Sequence, residues 1–211
     1  MEITPAKTLV LFDFDGTLTK GDTLSRFLLY SLSPGALVRG TMLVIYSFLR
    51  MIWQGSWSSA RGKEELMSVF FKGCEKPQLE QLGAAFCREK LPDLLRLEVL
   101  EQLRAYQKAG ARTAVVSASA DIWIKSFSEA EGIDLVCTQL EYLDGVFTGK
   151  FATPNCNGHE KAVRIRAAFN LADYAKVIAF GNSVGDSDMF ALSDEAWLIH
   201  GRGKQIQVVY P

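Results

Sequence analysis

The sequence has no paired cysteines and no excess of charge. Its four cysteines (Cys74, Cys87, Cys137, Cys156) are far apart and form no CxxC. Neither a zinc site nor a disulfide framework is suggested, and scattered thiols fit a reducing compartment. The formal net charge is -1, without the basic excess of non-specific nucleic-acid binders, so no nucleic-acid partner is expected. The N-terminal MEITPAK lacks a basic segment leading into an apolar core, so no secretory signal is visible. Repeats and low-complexity tracts are absent. His159 has no second His or Cys at helical distance, which excludes a helical metal pair there. These absences lead to the expectation of a soluble, cytoplasmic protein. What remains is ordinary: 211 residues, 48% apolar and 22% charged, enough for one large domain or one carrying an insertion.

The stretch Leu9 to Thr19, LVLFDFDGTLT, stands out against that background. A short apolar run ended by turn residues reads as a strand buried on both faces. It delivers two carboxylates, Asp13 and Asp15, to the strand's carboxyl end, where open parallel sheets bind ligands. Two neighbouring acids repel unless a cation or a shared proton compensates. The pair therefore reads as a metal-assisted nucleophile and its acid/base partner.

From Asp22, an N-cap candidate, to about Leu91 the periodicity is helical with no convincing strand. Pro34-Gly35, Gly55 to Ser58, Gly73 and Pro77 punctuate this block. Its most apolar helix spans 36–53 and is interrupted only by Arg39 and Arg50. Between those arginines the uncharged length falls far short of the ~20 residues that span a bilayer. A helix of a small module is the plainer reading. The alternative is an apolar face for a lipid-like substrate or membrane surface, with the arginines reaching phosphates. A helix over 92–108 follows, with Gly110 as its C-cap. Strands and helices then alternate: strands at 113–116, 135–138, 176–180 and a last one at 196–199, with helices at 121–131, 159–169 and 189–192. Asp144-Gly145 marks a hairpin inside 140–151. The expected fold is α/β: a Rossmann-like parallel sheet over 1–19 and 92–211, with a helical cap inserted at 20–91 and a small β-hairpin.

Other strand and helix starts carry polar groups. Ser117 offers a hydroxyl beside the Ala118 N–H for a phosphate oxygen, and Ser119 competes with it for that role. Lys161 brings a compact positive charge to the first turn of its helix. Asn182 and Asp186 lie on a glycine-containing loop and suit a hard cation such as Mg²⁺.

Asp13-Phe14-Asp15-Gly16-Thr17, Ser117, Lys161 and Gly181 to Asp186 occur in the order of the four motifs of the haloacid-dehalogenase-like phosphohydrolase superfamily, which the whole chain resembles. The hairpin and the helical insert are similar to its phosphoserine-phosphatase-like branch. Cys156 to Lys161 and the long apolar helix look like the bacterial phosphatidylglycerophosphatase C type. The resemblance implies a Mg²⁺-dependent phosphomonoester phosphatase. In it Asp13 forms an aspartyl-phosphate and Asp15 serves as general acid, then base. Thr17, Ser117, Ala118 and Lys161 would hold the phosphate. Asp13, the Asp15 carbonyl, Asn182 and Asp186 would hold the metal. Asn182 replaces the carboxylate usual at its position, which makes Asp186 the stronger metal candidate and opens a second reading, a catalytically weak phospho-ligand binding protein. The implied partner is a small phosphorylated molecule or a phospholipid head group, and hydrolysis and phosphotransfer to another acceptor are equally compatible. Asp22 either caps its helix or, as in phosphoserine phosphatases, recognises substrate.

Overall fold

The computed structural model describes residues 7–55, 58–201 and 204–208, the last stretch as backbone. In chain order the strands are β1 (Thr8–Phe12), β2 (Arg112–Ala120), β3 (Asp134–Thr138), β4 (Leu140–Leu143), β5 (Val146–Phe151), β6 (Lys176–Gly181), β7 (Glu195–His200) and β8 (Lys204–Val208). Six of them form one sheet in the order β3-β2-β1-β6-β7-β8, and β4 and β5 pair separately. All neighbours in the sheet are parallel except β8, which runs antiparallel to β7. The expected last strand at 196–199 is therefore not the last. Because the chain leaves β1 for β2 on one side and returns to β6 on the other, the β1/β6 crevice is the topological switch point.

β1 sends Leu9 and Leu11 into a cluster with Ile165, Met189 and Phe190. Val10 and Phe12 enter a second cluster with Val99, Phe127 and Phe180. Burial on both faces explains the unbroken apolar run. The register sets Phe12 beside Val115 and Phe180. Asp13, Ser117 and Asn182 consequently leave the sheet at the same edge.

Between β1 and β2 come α1 (Thr23–Ser31), α2 (Pro34–Trp53), α3 (Ser59–Phe71), α4 (Lys76–Glu89), α5 (Leu91–Leu94) and α6 (Leu97–Lys108). Among the described residues of 20–91 no strand joins the main sheet. Pro34 ends nothing by itself; it is the first residue of α2, with the Ser33 hydroxyl accepting the Ala36 N–H, a placement that suits a residue lacking its own N–H. The single helix expected over 92–108 is broken at Leu95-Arg96. There the outgoing and returning chains pair: Lys20 N–H donates to Leu94 O and Arg96 N–H to Leu18 O, both at 2.8 Å. Extended backbone is required for that pairing, and it overrides local helix preference.

The remaining helices are α7 (Asp121–Glu131), α8 (His159–Ala168) and α9 (Ser187–Phe190). The hairpin turns at Asp144 (φ 50) and Gly145 (φ 80), the left-handed pair such a tight turn needs. It docks on the insert, with Phe151 N–H donating to Glu64 Oε1 at 2.8 Å. The apolar core is continuous across insert and sheet. Phe27 of α1 stacks on Trp123 of α7 at 4.6 Å between ring centroids and meets Phe86 of α4 edge-on at 5.5 Å.

This shared cluster predicts one cooperative unfolding transition, seen identically by tryptophan fluorescence and circular dichroism in urea. Phe27→Ala should lower the stability of that single transition by about 3–5 kcal/mol. Two separated transitions would contradict the shared core.

Candidate active site

α8 begins just past Gly158, and its first turn carries Lys161 inward over the sheet edge. The Lys161 side chain is 2% exposed, and its Nζ lies 2.6 Å from both Asp13 Oδ1 and Asp186 Oδ1. Burial alone would lower the Lys161 pKa, but the two carboxylates outweigh it and hold it above the ordinary lysine value. Asp13 is pushed from 3.8 to about 6. Burial is the main cause; Lys161 opposes it, and Asp186 and Asp15 add to it.

The other Asp186 oxygen accepts the N–H groups of Asn182 and Ser183, each at 3.0 Å, and the Ser183 hydroxyl at 3.1 Å. Both oxygens are thus engaged by the lysine and the loop. The Asp186 carboxylate thereby shapes the loop and holds Lys161. Asn182 faces the end of β1. Its Oδ1 lies 3.3 Å from Asp13 Oδ2 and 3.2 Å from the Asp15 carbonyl oxygen. Thr17 is committed nearby, its hydroxyl donating to Asp13 Oδ2 at 2.9 Å. Gly16 makes the approach of Asn182 feasible: its φ is +81°, and a Cβ there would fall 2.1 Å from Asn182 Nδ2.

Three oxygens facing one another with no hydrogen between them suit a small hard cation that keeps most of its waters. One carboxylate, one amide and one carbonyl make up the set; among the described residues no group of three or more His, Cys, Asp or Glu side chains is placed to hold a metal. An amide also serves this spot without a cation, since turned over it donates to Asp13 Oδ2 and Asp15 O. A carboxylate would have no such second state.

Asp15 is held apart from Asp13 by a different set. Its Oδ1 accepts the Thr23 N–H at 2.7 Å and the Thr23 hydroxyl at 2.6 Å. Its Oδ2 accepts the Ser119 hydroxyl. Trp123 Nε1 in turn donates to Thr23 Oγ1 at 2.9 Å. Ser119 is therefore a partner of Asp15, while the buried Ser117 hydroxyl accepts the Ser119 N–H at 3.0 Å. An irregularity in β2 between Ser117 and Ala120, with Ala118 inside it, aims Ser119 this way. β2 also runs past the expected 113–116 strand. Thr23 and Trp123 were not expected here; only Thr23's place beside the capping Asp22 hinted at it. Asp22 itself accepts the Ser25 N–H at 3.0 Å, as an N-cap does. His159 is exposed at the start of α8. Lys63 of α3, also unforeseen, lines a small space with Leu24, Met67, Phe151 and the Ala118–Ala120 segment.

A buried carboxylate–ammonium pair beside a facing oxygen set thus sits at the switch point of a parallel sheet in an α/β fold. Residues 10–191 match the haloacid dehalogenase-like hydrolase family, and the chain belongs to that family. It is 34% identical to Protein CicA of Caulobacter vibrioides over 93% of this chain and 87% of that protein. Among solved structures, a protein of unknown function from Bordetella pertussis Tohama I superposes with a TM-score of 0.72 at 21% identity, covering 90% of this chain and 89% of that one. A phosphoserine phosphatase captured as an analogue of its phospho-aspartyl intermediate superposes with a TM-score of 0.57 at 22% identity, covering 90% and 85%. These two structures share the fold.

The raised Asp13 pKa sets a pH test of the oxygen site. A carboxyl at about 6 when folded and 3.8 when unfolded binds its proton more tightly in the folded state. Its contribution to stability is full below 3.8 and is lost as pH rises through about 6. A cation competes with that proton, so Mg²⁺ should raise Tm more at pH 7.5 than at pH 5. Asn182→Asp, adding a charge, should enlarge the pH 7.5 shift. Thermal scans at both pH values check this, and a Tm indifferent to Mg²⁺ at both would contradict it.

Proposed function

We propose that this protein is a phosphatase for phosphomonoesters, working through an aspartyl-phosphate on Asp13 with Asp15 as general acid and base. The observation that carries the reading is the division of labour between the two acids. Asp13 is oriented by Lys161 and Thr17, while Asp15 is held separately by Thr23 and Ser119.

Asp13 attacks phosphorus, the bond to the leaving oxygen breaks, and Asp15 gives that oxygen a proton. Asp15 then takes a proton from the water that splits the aspartyl-phosphate. A hydroxyl both donates and accepts, so Ser119 can follow either protonation state of Asp15 by turning its hydrogen. Lys161 and the Ser117–Ala118 segment stabilise the transferring group, which in phosphoryl transfer is most of what a protein contributes. Mg²⁺, held by Asp13, the Asp15 carbonyl and Asn182, would neutralise phosphate charge.

The insert acts as a cap over this site. The space between Lys63, Met67, Leu24 and the Ala118–Ala120 segment amounts to about 10 Å³, close to a single water. Movement of the insert would admit substrate beside Ser119, and closure afterwards would exclude bulk water. A small phosphorylated molecule fits this arrangement, and the described phosphoserine phosphatase lends support through its name.

p-Nitrophenyl phosphate separates the two acids, because its leaving group needs no proton. Asp13→Asn should reduce Mg²⁺-dependent hydrolysis to background. Asp15→Asn should release about one p-nitrophenol per enzyme and then slow by roughly 10²–10⁴-fold, the usual worth of general base catalysis. Equal background rates for wild type and Asp13→Asn would leave only a phospho-ligand binding protein.

A further inference from the structure

Eight of the fourteen exposed large apolar side chains among the described residues lie on α2. Val38, Met42, Ile45, Leu49 and Ile52 follow one another at helical spacing, and each is more than half exposed. Trp53, 87% exposed, ends the stripe. Leu43 and Tyr46 widen it to about half the helix circumference, at roughly 100° per residue. Scattered apolar residues are normal on a surface, whereas a continuous face of this kind marks a contact. The opposite face is already used: Gly40, Val44, Ser47 and Met51 are buried, and Gly40 sits so close to the Phe70 ring of α3 that a Cβ would fall 1.9 Å from it.

The charges on this helix and in the sequence next to it have one sign. From Thr23 to Lys63 the sequence contains no Asp or Glu, and it contains Arg26, Arg39, Arg50, Arg61 and Lys63. At roughly 100° per residue Arg39 and Arg50 fall together between Tyr46 and Leu43, on the flank of the apolar face and within reach of a surface that it enters. Neither takes part in an ion pair among the described residues. An apolar helix face whose only charges are cations is the pattern of a helix lying in the plane of an anionic bilayer.

We propose that the exposed face of α2 docks on an anionic lipid surface, with the helix parallel to it. By length and composition α2 could cross a membrane. Spanning would strip it from α3 and carry Arg39 and Arg50 into hydrocarbon, which is costly. A second copy is disfavoured by charge, since it would bring one acid-free, arginine-edged face against another. This inference does not depend on the phosphatase reading.

Co-sedimentation of the full chain with vesicles tests it. Wild type should pellet with phosphatidylglycerol/phosphatidylcholine vesicles and stay in solution with phosphatidylcholine alone. Arg39→Glu/Arg50→Glu and 0.5 M salt should each weaken anionic binding by roughly tenfold or more. Leu49→Glu should abolish it, with Tm unchanged in every variant because these side chains face outward. Failure to bind anionic vesicles would overturn the proposal. So would retention on phosphatidylcholine vesicles in 0.5 M salt, which indicates insertion. A wild-type dimer in sedimentation velocity that Leu49→Glu converts to monomer would assign the face to a second copy instead.

Discussion

The ammonium of Lys161, shut between Asp13 and Asp186, is the interaction on which the site rests. Two carboxylates and one lysine at these distances leave one negative charge in a region almost closed to water. Burying an incompletely balanced charge is expensive, and the upward displacement of Asp13 expresses that cost. The same imbalance makes the place attractive to a cation. The protein supports the triad from three directions: β1 delivers Asp13, the first turn of α8 delivers Lys161, and the loop after β6 folds onto Asp186 through its own N–H groups. Losing Lys161 would leave two buried acids opposed without compensation.

Around that triad the two acids of the opening motif are separated by their partners. Phe14 lies between them in sequence, and the turn at Gly16 sends the chain into the insert. Asp15 is then tied to Thr23, the first residue of α1, and to Ser119 in the β2 irregularity. Its position consequently depends on insert and sheet together. The contact of Trp123 with Thr23 extends this dependence into the shared aromatic core, so Asp15 and the helical insert are mechanically joined.

Much of this was legible in the sequence because burial leaves a periodic trace. The apolar run at Leu9 to Phe12, the Asp144-Gly145 hairpin and the helical rhythm of 20–91 each follow from local pattern. The DxDGT segment follows the end of β1, Ser117 lies toward the end of β2 and Lys161 in the first turn of α8, where polar groups at a sheet edge are expected. What was not legible depends on pairings distant in sequence. The break at Leu95-Arg96 exists because the chain returns beside Leu18 to Lys20, and β8 exists because β7 offers it an edge. Ser119's commitment to Asp15 follows from an irregularity in β2 with no composition signal. Asp186 looked the better cation ligand on charge alone; the loop geometry turns it toward Lys161 and sets Asn182 against Asp13 and the Asp15 carbonyl.

The central claim is that Asp13 carries the phosphoryl group during turnover. An acyl phosphate is reduced by borohydride to an alcohol, so quenching the enzyme during hydrolysis of a phosphomonoester and treating it with borodeuteride marks the nucleophile permanently. Peptide mass spectrometry should find the label on Asp13 and not on Asp15 or Asp186. Unlabelled Asp13 in a sample that is releasing phosphate, or the label on another residue, would contradict the account.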